Sequence, residues 1–389
     1  MRPPVTKAPV KQTNHKKVAA SKNDAAKGKV KSSNDAKTLK HWLREMLLIR
    51  EFEVRTMQAY QNRLVGGFCH IYSGQEAVAV GTIAALQDDD PIITAYRCHG
   101  HALARGMDPY YCMAELFGRF DGCAKGKGGS MHMFDREKHL YGGHAIVGAQ
   151  TPLATGLAFA TKYEQEVIKT SDHTRVTVCY LGDGALNQGG FHEAMNLAGV
   201  LDLPVIFVIE NNGYAMGTSV ARGTTLADAL YRKAESYGMT GHLIEEGMDV
   251  VTVHDQFKKV VDETRKTSKP DLVEIRTYRF KGHSMSDPRK YRTHEEEEKW
   301  NKQDPIDHLS HDLIKAGELT QDEFKKMTTE IRGEIRDVVK RASEAEPPPL
   351  DELYVDVHTG NWGPFKGTTL PNMLRGDNEK TTDQNQESH

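Results

Sequence analysis

Hydrophobic residues recur at steps of three and four positions along residues 39–63, which is the spacing of an amphipathic helix. The apolar positions of this segment are Leu43, Met46, Leu47, Ile49, Phe52, Val54, Met57 and Tyr60. Farther along, two short runs, VTVCYL and PVIFVIE, are almost continuously apolar. Runs of this kind are typical of parallel strands that are covered on both faces of the sheet.

Strand and helix patterns alternate along the rest of the chain. The predicted strands are 91–96, 175–181, 204–210 and 271–278, and the predicted helices are 75–86, 152–162, 191–201, 226–237, 254–266 and 321–345. This alternation predicts an α/β fold in which helices flank a doubly wound, mainly parallel sheet. The domain is expected to span residues 39–346, because three consecutive prolines, 347–349, end the last long helix.

The two ends of the chain differ from the predicted domain in composition. Residues 1–40 contain Arg2 and ten lysines but only two aspartates, which gives them a formal charge of +9 in a chain whose net charge is −3. This composition predicts a disordered basic arm over residues 1–38, with contact to a protein or a polyanion left open. The arm has no aromatic residues for base stacking, so specific nucleic-acid recognition is not expected. Residues 347–389 are predicted to form a polar C-terminal extension.

The chain carries no sequence signal of a membrane or secreted protein. Its 389 residues include no apolar run near the roughly 18 residues of a membrane span, and its first residues lack the apolar core of a secretory signal. Five cysteines without a C-x-x-C pair favour neither a disulfide framework nor a zinc site. Because the basic arm is rich in lysine rather than arginine, we expect the bacterial cytoplasm as its location, with the mitochondrial matrix as the alternative.

Two polar motifs follow the two apolar runs. Gly182-Asp183-Gly184 follows the first, and Glu210-Asn211-Asn212-Gly213-Tyr214 ends the second. Ligands of open α/β sheets bind beyond the carboxyl ends of the strands, where glycine lets the backbone approach a diphosphate and oxygen ligands suit Mg²⁺. Each motif alone is most often a turn. The pair, with room for one helix between its members, favours a site for a divalent cation and a diphosphate.

Three other features that could indicate a phosphate, metal or nicotinamide site do not match the required patterns. The glycine cluster GCAKGKGGS resembles a phosphate-binding loop, but Lys127 is followed by Gly128 rather than by Ser or Thr, and no predicted strand precedes it. His99 and His101 form an H-x-H pair without a third ligand at a suitable spacing. No G-x-G-x-x-G follows a strand near the start, so nicotinamide binding is not expected.

Several separate blocks carry a family resemblance. The spacing of the two polar motifs is similar to the thiamine diphosphate-binding motif of thiamine-dependent enzymes. Further blocks resemble the alpha subunits of the 2-oxo acid dehydrogenase family, most closely those of the pyruvate type: GFCHIYSGQEA (67–77), TAYRCHG (94–100), AKGKGGSMHMF (124–134), IVGAQTPLATG (146–156) and GHSMSDP (282–288). The resemblance extends through most of residues 40–366, and the order of the blocks makes it more specific than the metal motif.

The resemblance implies the diphosphate-binding half of the thiamine diphosphate fold, with thiamine diphosphate and Mg²⁺ as cofactors. The implied magnesium ligands are Asp183, the side chain of Asn212 and the backbone carbonyl of Tyr214. Tyr96 and Arg97 would contact the diphosphate, Arg97 through a charge-assisted fork. The other residues implied to line the cofactor are Ile146, Val147, Gly182, Gly184, Ala185, Ala215 and His283.

The candidate catalytic residues are His283, His70 and His132, since an imidazole titrates near neutrality and can transfer protons. The sequence also departs from the family at two places. Gly143-His144-Ala145 stands where the family usually has Gly-Asn-Gly, which would change the packing around the cofactor. Lys290 stands where mitochondrial members carry a serine that is phosphorylated, so regulation at that position is not expected.

The resemblance also implies partners and a reaction. A beta subunit would supply the pyrimidine-binding half of the active site in a heterotetramer of two alpha and two beta chains. The complex would decarboxylate a small 2-oxo acid, pyruvate, and pass the acetyl group to the lipoyl arm of a dihydrolipoamide acetyltransferase. Branched-chain 2-oxo acid and acetoin dehydrogenases are the alternatives within the family. A catalytically silent scaffold with the same fold is the alternative outside it.

Overall fold

The computed structural model describes residues 34–355 of the chain. Strands in this part are β1 (Ile92–Ala95), β2 (Leu140–His144), β3 (Thr177–Gly182), β4 (Val205–Asn211), β5 (Tyr214–Ala215), β6 (Thr218–Ser219), β7 (Thr240–Ile244) and β8 (Asp271–Arg276). Six of them form one sheet in the order β2-β1-β3-β4-β8-β7, with every neighbouring pair parallel. Strands β5 and β6 form a small antiparallel hairpin beside the sheet.

Helices connect and cover these strands. The α-helices are α1 (Ala36–Gln61), α2 (Glu76–Ile83), α3 (His99–Ala104), α4 (Pro109–Leu116), α5 (Gln150–Tyr163), α6 (Gly189–Val200), α7 (Val220–Gly223), α8 (Val250–Thr267), α9 (His294–Asn301), α10 (Pro305–Ala316) and α11 (Gln321–Glu344). Short 3₁₀ helices cover Gly129–Met131, Asp183–Asn187, Leu230–Tyr237 and Leu350–Tyr354, and a π-helical turn covers Glu164–Ile168. None of the helices between residues 34 and 355 is long and apolar enough to span a membrane.

Alternating side chains divide the core between the two faces of the sheet. Val178 and Tyr180 of β3 point into a large cluster that includes residues of α1, α2, α8, α10 and α11, whereas Cys179 and Leu181 point into a smaller cluster with α5 and α6. Successive strand residues face opposite sides, so a strand covered on both faces is apolar throughout. This arrangement explains the almost continuous apolar runs in the sequence and confirms the predicted doubly wound α/β fold.

The strand order also fixes where a ligand can bind. The chain passes from β1 outward to β2 and then returns to place β3 on the other side of β1, which creates a switch point between the two halves of the sheet. In open α/β sheets, ligands bind in the crevice that such a switch point opens at the carboxyl ends of the strands. The residues that follow β1, β3, β4 and β8 therefore share one edge of the sheet, which we call the carboxyl edge.

Some elements differ from the sequence predictions. The elements that were not predicted are strands β2, β5, β6 and β7 and helices α3, α4, α7, α9 and α10, and the predicted helix 226–237 is a 3₁₀ helix over Leu230–Tyr237. Helix α1 begins at Ala36, where the side chain of Asp35 accepts a hydrogen bond from the backbone N–H of Thr38. Nearly all of the predicted arm and of the predicted C-terminal extension lies outside the described residues.

Candidate active site

Two predicted motifs meet at the carboxyl edge. Gly182 of β3 pairs with Glu210 of β4, so the residues that follow the two strands emerge side by side. Asp183 is 3% exposed and Asn212 is 7% exposed. Burial raises the pKa of the Asp183 carboxyl to about 6, although a hydrogen bond from the backbone N–H of Asn212 favours the carboxylate. A buried carboxylate of this kind is suited to a cation, which would restore its charged form.

The loops that follow β3 and β4 lie in direct contact. A Cβ atom added to Gly184 would lie 2.5 Å from the Cβ of Ala215, so only glycine allows this approach. The backbone N–H of Tyr214 donates to Oδ1 of Asn212 at 3.4 Å, and Ala185, in the 3₁₀ helix after β3, is buried. The structure thus brings the predicted magnesium ligands to one place, while their roles as ligands stay predictions.

Tyr96 and Arg97 follow β1 at the same edge. The side chain of Arg97 is buried, and its two terminal nitrogens donate to the backbone carbonyls of Ile71 and His283, each at 2.7 Å. None of the ion pairs formed within residues 34–355 includes Arg97. Burial lowers the pKa of this guanidinium, although the nearby carboxylates of Glu210 and Glu53 act in the opposite direction. An anion at this edge would satisfy it.

Three aromatic rings lie together beside Arg97. The ring of His70 is 4.6 Å from that of Tyr96 and 5.1 Å from that of His283, and the last two rings are 5.7 Å apart. Burial and the charge of Arg97 lower the pKa of His70 to about 2 and that of His283 to about 4. Both imidazoles are therefore neutral near pH 7. Nδ1 of His70 is buried and has no hydrogen-bond partner among the described residues.

The remaining predicted cofactor contacts are less enclosed. Ile146 is 75% exposed and Val147 is 42% exposed, in the loop between β2 and α5. Nδ1 of His132 lies within hydrogen-bond distance of the carbonyl of Gly143, at 3.2 Å. The ring contacts found between residues 34 and 355 join His70 and His283 but do not include His132. A catalytic role for His132 stays a prediction.

His144, which departs from the family pattern, ends β2 opposite Ala95 of β1. Its Nε2 lies 3.2 Å from the carbonyl of Tyr141, and burial lowers its pKa. The side chain therefore lies close to the carboxyl edge, next to the loop that carries Ile146.

The H-x-H pair does not resemble a metal centre. Nδ1 of His99 lies 3.0 Å from the carboxylate of Glu53, and the ring of His101 packs between Tyr72 and Tyr180. Over the described residues, no group of three or more His, Cys, Asp and Glu side chains is arranged to hold a metal ion. The magnesium ligands predicted at the carboxyl edge are one carboxylate, one amide and one backbone carbonyl. Their role as ligands stays a prediction.

Comparison with known proteins identifies the family. The family described as "Dehydrogenase E1 component" matches residues 44–351. The chain belongs to this family. Dehydrogenase E1 components of this type depend on thiamine diphosphate. This membership agrees with the fold and with the contact between the loops after β3 and β4.

Curated relatives of this dehydrogenase E1 component are similar over most of their length. A protein from Rhizobium meliloti is 46% identical over 337 residues, which cover 86% of the chain and 94% of the relative. A protein from Zymomonas mobilis is 46% identical over 330 residues, covering 84% of the chain and 90% of the relative. One from Rickettsia bellii is 42% identical over 315 residues, covering 81% and 94%. All three are named pyruvate dehydrogenase E1 component subunit alpha.

Two further arginines of this dehydrogenase E1 component were not predicted as site residues. Arg279 is 1% exposed and donates to the carbonyl of Lys281 and to the hydroxyl of Tyr291, at 3.1 and 3.0 Å. Burial, together with repulsion from Arg97, lowers the pKa of Arg279 to about 10. Arg292 is also buried and donates to the backbone carbonyl of Arg279 at 2.6 Å. Arg279 directly follows the predicted strand 271–278, but the sequence does not show that either arginine is buried.

Gln75 is another missed residue. It is 1% exposed, and its Oε1 accepts a hydrogen bond from Nδ2 of Asn212 at 3.0 Å. This contact fixes the amide so that Oδ1 of Asn212 faces away from Gln75. The orientation suits an amide whose oxygen is needed as a ligand.

Proposed function

We propose that this chain is the alpha subunit of a thiamine diphosphate-dependent pyruvate dehydrogenase that decarboxylates pyruvate and transfers the acetyl group to a lipoyl arm. The observation that carries the proposal is that buried cations and a buried carboxylate, each lacking a direct ion-pair partner, lie at one edge of the sheet. Arg97, Arg279 and Asp183 are buried charged groups that form no direct ion pair within the described residues, and burial shifts the pKa of each toward its neutral form. A diphosphate with a bound divalent cation would satisfy both kinds of charge.

The residues at the edge have the chemistry that this cofactor requires. Asp183, the amide oxygen of Asn212 and the carbonyl of Tyr214 would hold Mg²⁺, for which oxygen ligands are preferred. Arg97, Arg279 and Tyr96 would hold the diphosphate. When bound, thiamine diphosphate supplies the electron sink for decarboxylation, and the protein supplies position and electrostatics. Ile146, Val147, Gly182, Gly184, Ala185 and Ala215 are proposed to line it.

His70 and His283 are proposed to hold and move protons beside the reacting group. Both imidazoles are neutral near pH 7, because their pKa values are lowered to about 2 and about 4. A neutral imidazole can accept a proton on one nitrogen while it donates a hydrogen bond from the other. A bound diphosphate would add negative charge and so move both pKa values upward, toward the range useful for proton transfer.

The proposal includes a beta subunit. Ile146 and Val147 are exposed although they are expected to lie along the cofactor, which fits a site that a second chain completes. The proposed assembly has two alpha and two beta chains, and its product would pass to a dihydrolipoamide acetyltransferase. The proposed location is the bacterial cytoplasm, with the mitochondrial matrix as the alternative, and the relatives in three bacteria favour the first.

Co-expression with a beta chain tests the proposal. The purified complex should decarboxylate pyruvate with an artificial electron acceptor, only when thiamine diphosphate and Mg²⁺ are present, and the chain alone should be inactive. The matched comparison is 3-methyl-2-oxobutanoate under the same conditions. A clear preference for the branched acid would overturn the choice of substrate. A complex that binds thiamine diphosphate but decarboxylates neither acid would contradict the proposed activity.

A further inference from the structure

A carboxylate, an imidazole and a hydroxyl lie in series below the candidate active site. Both oxygens of Glu53, in α1, lie within 3.1 Å of Nδ1 of His99, and Nε2 of His99 lies 2.8 Å from Oγ of Ser130. Glu53 and His99 are fully buried, and Ser130 is 1% exposed. Because solvent and substrate do not reach this hydroxyl, the series is not a nucleophilic site. It can act only by positioning the groups to which it is hydrogen-bonded.

The series ends on the backbone of His70. Oγ of Ser130 accepts a hydrogen bond from the backbone N–H of His70 at 3.2 Å. The same Glu53 carboxylate accepts the backbone N–H of Tyr72 at 2.7 Å, and Arg97 donates to the carbonyl of Ile71 between them. Three consecutive residues are therefore fixed by buried polar groups. The ring of His70 is held in its contact with Tyr96 and His283 by a backbone that has little freedom to move.

The hydrogen bonds of this series are mutually consistent. An ionised carboxylate only accepts, so Nδ1 of His99 carries a proton and donates to Glu53. Nε2 of His99 contacts both the hydroxyl and the carbonyl oxygen of Ser130, at 2.8 and 3.1 Å. Whichever group supplies the proton to the contact between Nε2 and Oγ, the hydroxyl keeps a lone pair for the N–H of His70. The hydroxyl of Ser130 thus joins the Glu53–His99 pair to the His70 amide.

We propose that Ser130, oriented by the buried Glu53–His99 pair, is the positioning residue that sets the place of His70 in the active site. The inference rests on the proposed function, in which His70 acts beside the cofactor. It assigns a role to three buried residues that contact neither the diphosphate-binding arginines' side chains nor the predicted magnesium ligands. A displacement of about 1 Å in a reacting group can cost about 100-fold in rate, so loss of this link should affect turnover more than binding.

Ser130→Ala in the alpha–beta complex tests the proposal. We expect kcat to fall by about 10- to 100-fold, while the KM for pyruvate and the affinity for thiamine diphosphate stay unchanged. Hydrogen exchange at the His70 amide should become faster in the variant. His99→Gln should lower kcat to a similar extent, and the double variant should be no slower than either single variant, because both act through one link.

The matched control is Ser310→Ala, which removes another buried serine hydroxyl. Ser310 is 6% exposed in α10, and its hydroxyl donates to the carbonyl of Asp307 in the same helix, at 3.1 Å, which is its one side-chain bond within residues 34–355. This variant should keep wild-type kcat and wild-type exchange at His70. Ser130→Thr keeps the hydroxyl and should restore most of the turnover, which would exclude a general packing defect in Ser130→Ala.

The outcomes separate this inference from the proposed function. Unchanged kcat and unchanged exchange in Ser130→Ala would overturn the positioning role even if the wild-type complex decarboxylates pyruvate. An equal loss of kcat and of cofactor affinity would also overturn it, since that result indicates a structural role. A wild-type complex without decarboxylase activity would refute the function, whereas the exchange rate at His70 would still report on the link.

Discussion

Two regions of the molecule, the glycine-rich loop and the carboxyl edge of the sheet, are each suited to bind an anion. They differ in whether the protein itself supplies that anion. In the glycine-rich loop at residues 122–129, the chain supplies its own carboxylate, from Glu115 of α4. At the carboxyl edge of the sheet, the buried arginines Arg97, Arg279 and Arg292 form no ion pair with a carboxylate of the described residues. A cluster of groups that can bind an anion is therefore a candidate ligand site only where no side chain of the protein already occupies it.

The glycine-rich loop is complete in itself. Glu115 is fully buried, and its Oε2 accepts the backbone N–H groups of Ala124 and Gly126 at 2.7 and 2.9 Å. Its Oε1 accepts those of Gly128 and Gly129 at 2.7 and 2.9 Å. Successive backbone N–H groups of this kind form an anion-binding concavity in many phosphate sites. Here the concavity is occupied by a side chain, which is why the resemblance to a phosphate-binding loop does not indicate nucleotide binding.

The carboxyl edge has the opposite character. Arg97, Arg279 and Arg292 donate only to carbonyls and to one hydroxyl, and Nε and one terminal nitrogen of Arg292 are buried without a hydrogen-bond partner in residues 34–355. The guanidinium of Arg292 lies 4.5 Å from the ring of Tyr278, a contact that compensates it in part. Buried cations are costly unless they are paired. A bound anion would therefore stabilise the carboxyl edge, whereas the glycine-rich loop already holds the Glu115 carboxylate.

The largest expected effect comes from removing the carboxylate at the unsatisfied edge. Asp183→Ala should abolish Mg²⁺-dependent binding of thiamine diphosphate, because the predicted metal set loses its only carboxylate, while the fold stays intact. Calorimetric titration with the cofactor measures the affinity, and circular dichroism checks the fold. Asp262→Ala is the matched control, since Asp262 has 58% of its side chain exposed, away from the site. Retained wild-type affinity in Asp183→Ala would contradict the predicted metal site.

The next largest effect concerns the satisfied loop. Glu115→Gln should lower the free energy of unfolding by about 2–4 kcal/mol, because an amide accepts through one oxygen only and turns an N–H donor toward other donors. Urea unfolding monitored by fluorescence measures the change. Glu330→Gln, at a side chain that is 65% exposed, is the control and should change little. A loss below about 1 kcal/mol would show that the loop does not depend on the Glu115 carboxylate.

A smaller effect is expected from pH. The folded chain lowers the pKa of His70 to about 2 and that of His283 to about 4, whereas both titrate near 6.5 when unfolded. Their contribution to stability is therefore present above pH 6.5 and decreases as the pH falls toward the folded values. Between pH 7 and pH 5 the loss should be about 2 kcal/mol for the buried imidazole of His70, and less for that of His283, which solvent partly screens.

Urea unfolding at both pH values tests this expectation. His283→Gln should reduce the difference in unfolding free energy between pH 7 and pH 5, because the unfolded chain then has one proton fewer to gain. His41→Gln is the control, since the side chain of His41 is 63% exposed. An equal pH dependence in wild type and His283→Gln would show that burial beside Arg97 does not hold this imidazole neutral.

The smallest effect should come from deleting residues 1–33. The residues discussed at the carboxyl edge and in the glycine-rich loop lie between positions 70 and 292, and the N-cap of α1, Asp35, is kept in the shortened chain. Cofactor affinity and turnover of the alpha–beta complex should equal those of the full chain. A large loss of turnover with unchanged cofactor affinity would assign the basic segment a part in catalysis or assembly.

The sequence predicted the parts of the fold that are encoded locally. Strands β3 and β4 follow from their apolar runs, and the convergence of Asp183 with Asn212 follows from the rule that parallel strands end at one edge. Strand β2 was missed because its sequence, LYGGH, contains two glycines, which weaken a strand pattern. Helix α3 was missed because it has only six residues, too few to show a period.

The parts of the site that depend on contacts distant in sequence were not predictable. The series from Glu53 through His99 to Ser130 joins positions 46 and 31 residues apart, and no local pattern reports such contacts. The burial of Arg279 is set by packing around the edge, whereas arginine in a sequence is usually a surface residue. Likewise, nothing in the sequence around Glu115 predicts that its carboxylate accepts hydrogen bonds from four backbone N–H groups.

The strand order has a consequence for biosynthesis. Strand β8 pairs between β4 and β7, so one side of β4 stays unpaired until the ribosome has made residues 271–276. Arg279 and Arg292 leave the ribosome later still, long after Glu115 and its loop are complete. The nascent chain can therefore close its internal carboxylate site early, whereas the cofactor edge matures near the end of translation. Until then, the half-formed sheet exposes an unpaired β4 edge, a feature that makes partly folded chains prone to aggregate.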